Sequence, residues 1–222
     1  MVNFRRGVKE LNRQNMVNAQ AWVQTAVNIA RENPSGVANL AVLGKRLPEI
    51  REMTLKPPSE FMPELEKIFK ESGVSFVILP YLEKSCINGA VKWLDKEHVV
   101  LALNDRRCYA DTFWFSLFHE MKHVFQQKLK RVFLSYDREL MNASENEDEK
   151  EADKFSRDTL IPPDKYSVFV NACNFRATDI KEFASLVGIH AGVVVGRLQH
   201  DGYIQRYEYN EFREKYRILM QT

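Results

Sequence analysis

The segment "FWFSLFHEMKHVFQQ", residues 113–127, constrains the fold more than any other part of this chain. Bulky apolar residues would cover nearly every side of the helix that it predicts, as is typical of a helix in the centre of a core. Two histidines and a glutamate lie inside this segment, and burying a polar group without a partner is costly. We therefore expect a central helix whose polar groups have specific partners, either other side chains or a bound ligand.

The two histidines are spaced for one face of that helix. His119 and His123 are four residues apart, which puts both imidazoles on the same face, one turn apart. Glu120 follows the first histidine and completes the pattern H-E-x-x-H. In zinc peptidases with this pattern, the histidines hold the metal and the glutamate takes a proton from the attacking water. The pattern predicts this chemistry, and the alternative of two ordinary core histidines stays open.

A catalytic zinc site needs a third protein ligand, and the acidic segment "ENEDEKEAD", residues 145–153, supplies candidates. They are Glu145, Glu147, Glu149 and Glu151. Glu149 is favoured because Asp153 follows it by four residues, so that Glu149 can ligate while Asp153 accepts a hydrogen bond from a ligand histidine. Glu151 lies about 200° around the helix from Glu149, so the two cannot serve the same ion. The other acidic residues of the segment are interpreted as solvated.

The rest of the chain predicts an α+β fold in which helices surround one small sheet. "VSFVILP" is typical of a buried strand, and "INGAVKW" and "HVVLAL" predict a hairpin joined through "LDKE". We also expect "INGAVKW" to form an edge along which an extended substrate can pair its backbone.

Apolar periodicity and helix-ending residues predict the helices. A first helix is expected over 8–32, with an apolar stripe of Trp22, Ala26 and Ile29. A second helical segment is expected over 37–53, interrupted near Pro48. A third helix is expected to have Ser59 as its N-cap and to stop at Gly73. Asp111 is expected to cap the central helix, and later helices are expected over 148–160, 164–171, 179–187, 190–200 and 210–220. We divide the chain into a helical arm (1–54), a metallopeptidase core (55–165) and a helical C-terminal subdomain packed on that core (166–222).

Several segments, in this order, resemble the ImmA/IrrE family of zinc-dependent metallo-endopeptidases, especially the branch associated with HigA-like antitoxin regulators. They are "LPEIREMT", "GVSFVILP", "INGAVKWL", "DTFWFSLFHEMKHVF", "EKEADKFSRDTLIPP" and "IHAGVVVGRLQHDG", and the resemblance covers roughly residues 45–205. This chain has Lys122 where the family usually has glycine, and it shows no separate N-terminal DNA-binding domain of the kind that many relatives carry.

The resemblance implies a zincin-like fold and peptide-bond hydrolysis. It makes His119, His123 and Glu149 the ligands of Zn²⁺ and Glu120 the catalytic base. The implied substrate is a protein, a transcriptional repressor or related regulator cut at a specific site. Spacing does not identify the residue that would stabilise the oxyanion; Arg197, His200 and Tyr109 are candidates.

A rival function comes from "FASLVGIHAGVVVGRLQ", which resembles a helix-turn-helix with Gly188 at the turn. This would make the chain a non-catalytic regulator or antitoxin-type binding module. A DNA-reading helix needs basic and polar residues, yet Arg197 is its one permanent cation. We therefore expect two packing helices with Phe183, Leu186, Val194 and Leu198 facing the domain, and no direct nucleic-acid binding by this chain.

The overall composition is consistent with a cytoplasmic protein that has no membrane partner. The 222 residues carry 32 Lys and Arg against 30 Asp and Glu, so bulk attraction to nucleic acid or to an anionic membrane is not expected. Neither a long apolar run nor a signal peptide is evident. The cysteines, Cys86, Cys108 and Cys173, are scattered, which favours reduced thiols.

Overall fold

A computed structural model describes residues 13–104, 109–129, 132–136 and 147–216, and for 132–136 it describes the backbone only. These residues form an α+β fold, as predicted. The helices are α1 (Arg13–Glu32), α2 (Leu40–Lys45), α3 (Leu47–Glu52), α4 (Pro58–Glu71), α5 (Ala110–Gln126), α6 (Glu147–Leu160), α7 (Pro163–Asn171), α8 (Ala177–Val187) and α9 (Ala191–Asp201). The strands are β1 (Val74–Leu79), β2 (Ile87–Trp93), β3 (Val99–Asn104) and β4 (Val132–Tyr136). No helix of the described residues is long and apolar enough to cross a membrane.

The four strands form one sheet in the order β1-β3-β2-β4. The predicted hairpin is confirmed, since β2 runs antiparallel to β3 with Gly89 opposite Leu103 and Trp93 opposite Val99. β1 is parallel to β3. The expectation that "INGAVKW" forms an edge is wrong, because β4, which sequence analysis missed, pairs with the other side of β2.

Each face of the sheet is covered by helices, and the strands alternate between two hydrophobic clusters. Ala90, Val100 and Ala102 belong to a cluster with α1, whose predicted stripe residues Trp22 and Ala26 are buried. Ile29 of that stripe is only partly buried, and the predicted residues 8–12 lie outside the described part of the chain.

On the opposite face, Val91, Trp93, Leu101 and Leu103 pack in a larger cluster that runs along the chain from Leu43 to Tyr216. The helix with the H-E-x-x-H pattern, α5, lies inside this cluster, as predicted: five of its large apolar side chains are fully buried, namely Trp114, Leu117, Phe118, Met121 and Val124. The cluster contains residues from all three predicted segments, and the division into 1–54, 55–165 and 166–222 stays a prediction.

The structure corrects the sequence-based expectations for Ser59, Asp111 and residues 210–220. Ser59 is not a cap, because α4 begins one residue earlier with a proline at its first position, a place that proline favours. Asp111 lies in the first turn of α5 and makes an ion pair instead of a cap. The expected helix over 210–220 is wrong in its described part: Asn210–Phe212 form a short 3₁₀ turn, and 217–220 lie outside the described residues.

The segment 209–216, here called the C-terminal strap, returns to the start of α5. Arg213 binds the Asp111 carboxylate with two hydrogen bonds of 2.9 and 2.8 Å. The main-chain N–H of Ala110 donates to the carbonyl of Glu214, and the Trp114 indole N–H donates to the Tyr216 hydroxyl at 2.9 Å. The strap therefore anchors the first turn of the helix that carries both histidines.

The two helices of the helix-turn-helix-like segment are packed into the domain. A left-handed Gly188 ends α8, and Val193, Val194, Val195 and Leu198 of α9 are fully buried. Phe183 is buried too, but the expectation for Leu186 is wrong, since that side chain is 68% exposed. The expectation that these two helices pack on the domain is therefore confirmed for Phe183, Val194 and Leu198.

Arg51 fixes the carboxyl ends of α6 and α8 together. Its guanidinium donates to the carbonyls of Thr159 and Leu160 at the end of α6 and to the carbonyl of Val187 at the end of α8. These carbonyls have no partner inside their helices. A cation at a helix C-terminus also interacts favourably with the negative end of the helix dipole. The far end of α6 is thereby held, which matters because its first turn carries Glu149.

Candidate metal centre

Three predicted ligands meet where α5 faces the first turn of α6. The Nε2 atoms of His119 and His123 are 3.1 Å apart. One Glu149 carboxylate oxygen lies 3.2 Å from the Nε2 atom of His119, and the other lies 3.3 Å from that of His123. His119, His123 and Glu149 are thus brought together in a group that can hold a metal ion.

The donor atoms lie close enough together to share one ion. With metal–ligand bonds of about 2.0–2.1 Å, two ligand atoms of a tetrahedral site lie about 3.3 Å apart. The two histidine nitrogens are 3.1 Å apart, and each of them approaches a different oxygen of Glu149, at 3.2 and 3.3 Å. One ligand atom from each residue lies within 4.8 Å of the others, so three protein ligands can hold an ion and leave a further position for another group.

The orientation of His119 is set by Asp153, the residue that sequence analysis paired with Glu149. The Nδ1 atom of His119 lies 2.9 Å from Asp153 Oδ1. An ionised carboxylate only accepts hydrogen bonds, so the proton of a neutral His119 lies on Nδ1 and its Nε2 lone pair faces the other donors. Lone pairs brought this close repel one another unless a cation or a proton lies between them.

The electrostatics of the group likewise favour a positive charge at its centre. Burial by itself would lower the pKa of His119, but hydrogen bonds to Asp153 and Glu149 raise it to about 9. Burial would raise the pKa of Glu149, but its hydrogen bonds with both histidines lower it to about 2. Both shifts have the same cause, the attraction between the imidazoles and the carboxylates across the group.

Glu120 is fully buried beside the ligands, where α5 crosses the sheet. It approaches β2 at Gly89 so closely that a Cβ atom on Gly89 would lie 2.6 Å from Glu120 Oε1 and 2.9 Å from its Cδ. Glycine is therefore required at this position to make room for the carboxylate. Sequence analysis missed Gly89, although a glycine inside a strand often marks a close approach.

Glu151 points away from the ligands, as expected. Its carboxylate is 3.3 Å from Lys122 Nζ and also accepts a hydrogen bond from Gln126. Lys122, the departure from the family pattern, is held by this ion pair and lies over the Phe155 ring. The candidate Glu147 pairs with Lys150, and Glu145 lies outside the described residues.

Gln126 is a neighbour of the site that sequence analysis did not single out. Its Oε1 atom is 2.8 Å from the Nδ1 atom of His123. No motif contains this residue, and the one available signal is its position three residues after a candidate ligand.

The three oxyanion candidates have other partners. Arg197 pairs with Asp201 and lies 4.5 Å over the Tyr166 ring. His200 also pairs with Asp201. Tyr109 lies under the guanidinium of Arg213 in the C-terminal strap. Arg197 and Tyr109 are therefore explained by packing at the two ends of the domain.

Comparison with known protein families and with curated proteins finds no match to this chain.

Proposed function

We propose that this chain is a zinc-dependent metallo-endopeptidase with a zincin-like arrangement of the H-E-x-x-H helix. The observation that carries this proposal is the triangle of His119, His123 and Glu149 donor atoms, with the buried carboxylate of Glu120 beside it. Two imidazoles and one carboxylate with a further position open are the donor set of catalytic zinc sites. In such sites a carboxylate commonly binds the other ring nitrogen of a ligand histidine, as Asp153 does for His119.

The residues of this chain divide the work of peptide hydrolysis. His119, His123 and Glu149 would hold the zinc ion, which would supply polarisation of the scissile carbonyl and a lowering of the pKa of water to about 7. Glu120 accepts the proton of the attacking water on its carboxylate and then donates it to the leaving amine. Burial supports this role, because a carboxylate away from bulk water keeps its proton for the substrate. Asp153 keeps the Nε2 lone pair of His119 directed at the metal.

The proposed substrate is a transcriptional regulator, cut at a specific site. Its support is the resemblance of six ordered segments to the ImmA/IrrE family, including the branch associated with HigA-like antitoxins. The rival function as a DNA-binding or non-catalytic regulator is less well supported. Five residues of α9 are buried and its one permanent cation, Arg197, is paired with Asp201, so the helix offers little of the basic surface that a DNA reader needs. Lys122 is held in an ion pair with Glu151.

The direct test is to measure zinc content and proteolysis on one preparation. We expect about one zinc per chain, which is the stoichiometry of a mononuclear site. Candidate regulators incubated with the zinc-loaded protein should yield one defined cut, and a chelator should abolish it. If zinc is bound and the regulators stay intact, a binding module with a structural metal would be the better interpretation.

Metal content should distinguish Glu149 from its neighbour Glu151. Glu149→Ala removes a donor of the triangle, so we expect zinc affinity to fall by more than about tenfold, since even outer partners cost 10–100-fold. Glu151→Ala removes an exposed ion pair with Lys122, which contributes little, while the Asp148 carbonyl still holds the Gln126 amide, so affinity should stay within about twofold. Competition with a chromophoric chelator measures both. If zinc affinity fell strongly in Glu151→Ala and stayed nearly unchanged in Glu149→Ala, Glu149 would not be the third ligand.

Gly89→Ala should impair hydrolysis without removing the metal. The added methyl would lie within 3 Å of three Glu120 atoms, so the carboxylate or the strand must shift. A displacement of about 1 Å can cost roughly 100-fold in rate, and we expect a loss of kcat of that order with zinc content unchanged. Gly44→Ala on α2 is the matched control, because a Cβ there meets nothing within 4 Å. Equal rates for both variants would remove Gly89 from the site.

A further inference from the structure

One side chain joins the two helices that supply the ligands. Gln126 is the last residue of α5 and makes three hydrogen bonds, one to His123 on α5 and two to residues of α6. Its Oε1 atom lies 2.8 Å from His123 Nδ1. Its Nε2 atom donates to the main-chain carbonyl of Asp148 at 3.0 Å and to Glu151 Oε2 at 3.1 Å. Asp148 immediately precedes the ligand Glu149, so one amide contacts both sides of the triangle.

The surroundings of this amide determine which way it points. The Asp148 carbonyl and the Glu151 carboxylate both accept hydrogen bonds, so the NH₂ group of Gln126 must face them. The amide oxygen then faces His123, and only a protonated Nδ1 can donate to it. The Nε2 lone pair of His123 is consequently left for the centre of the triangle. Asp153 does the same for His119 through an independent contact.

We propose that Gln126 is a positioning residue for the metal centre. It holds His123 as the tautomer that ligates through Nε2, and it keeps the first turn of α6, with Glu149, at bonding distance from α5. This inference rests on the proposed zinc site. The Nδ1 atom of His123 is then held by the Gln126 amide, whereas the Nδ1 atom of His119 is held by the Asp153 carboxylate.

The chemistry of the three contacts explains why a glutamine is suited to this position. A carboxylate could accept from His123 but would repel Glu151 and could not donate to the Asp148 carbonyl. A lysine could donate to those two acceptors but could not accept from His123. A methionine of similar size would make none of the three bonds. An amide alone combines an acceptor and two donors in this geometry.

The test measures Zn²⁺ affinity by chelator competition in the full chain. Gln126→Met should weaken zinc binding 10–100-fold, as is usual when the outer partner of a ligand is lost. The matched control is Gln199→Met: Gln199 also bridges two segments, donating to the Glu208 carbonyl and the Asn210 side chain, but it lies on α9. We expect zinc affinity to be unchanged in this control.

A double substitution provides the rescue. In Gln126→Glu with Glu151→Gln, amide and carboxylate exchange places, so the pair between 126 and 151 is kept and His123 again has an acceptor. Because a carboxylate at 126 cannot donate to the Asp148 carbonyl, zinc affinity should recover only in part, above that of Gln126→Met and below that of the unsubstituted protein. Recovery would not be expected if Gln126→Met acted only by loosening the end of α5.

A second readout follows the proton on His123 itself. In zinc-loaded protein with ¹⁵N-labelled histidine, the Nδ1–H resonance should be protected from solvent exchange and should lose that protection in Gln126→Met. Unchanged zinc affinity and an unchanged resonance in this variant would overturn the inference while leaving the zinc site intact. A parallel loss of affinity in Gln199→Met would overturn it too, because the effect would then be general. Failure of the unsubstituted chain to bind zinc would overturn the proposed function and this inference together.

Discussion

Glu120→Gln is expected to reduce peptide hydrolysis by about 10²–10⁴-fold, the usual contribution of a positioned general acid–base. The amide has almost the same size as the carboxylate, so the tight contact with Gly89 is preserved. It cannot accept the proton of water, and so the step that Glu120 is proposed to perform is lost. Zinc affinity should stay near that of the unsubstituted protein, because Glu120 is not one of the three donors of the triangle.

This experiment needs cleavage rates and zinc content from the same samples. Glu147→Gln is a suitable control, since it makes the same chemical change on a side chain that is 87% exposed, and we expect full activity there. If Glu120→Gln lost its zinc, the residue would have a role in holding the metal. If the variant kept its metal and its rate, the proton would have to be taken by another group.

Val194→Asp is expected to destabilise the whole domain by about 4 kcal/mol or more, because it places an unpaired charge in the core. Val194 has no exposed surface and lies on α9, which packs against α5. Urea unfolding measures the loss, and metal content should fall with it at denaturant concentrations that unfold the variant. A DNA-reading helix would behave differently, since the substitution would then weaken duplex binding and leave the fold stable.

Leu186→Asp is the matched control for Val194→Asp. It makes a similar apolar-to-acidic change on the other helix of the same pair, at a side chain that is 68% exposed. The free energy of unfolding should change by no more than about 0.5 kcal/mol. Two equally stable variants would show that α9 does not pack as described. Submicromolar, salt-sensitive duplex binding by the unsubstituted chain would move the assignment from peptidase to regulator.

Local sequence patterns were sufficient to predict most of the elements. The hairpin of β2 and β3 follows from two apolar runs joined by a short polar turn, and the helices α6 to α9 follow from their periodicity. The ligand group was predictable for the same reason. The spacing of four between His119 and His123, and again between Glu149 and Asp153, places each pair on one helix face.

The features that were missed depend on contacts between distant parts of the chain. Asp111 has the chemistry of a helix cap, but Arg213, 102 positions later, takes its carboxylate. Gly89 matters only because α5 crosses β2 at Glu120, and Gln126 matters only because α6 begins opposite it. The edge of the sheet was misplaced for the same reason: whether a strand is internal depends on which other strand reaches it.

The C-terminal strap has a consequence for how the protein matures during synthesis. All the residues of the metal group have been synthesised once Asp153 is added, yet the helix that carries both histidines still lacks its anchor. The partners of Ala110, Asp111 and Trp114 are made last among the described residues. Because domains complete their packing only as their final segments emerge, a nascent chain should contain every ligand before the metal group has its final geometry. The metal site would then reach its final geometry only after residue 216 has emerged from the ribosome.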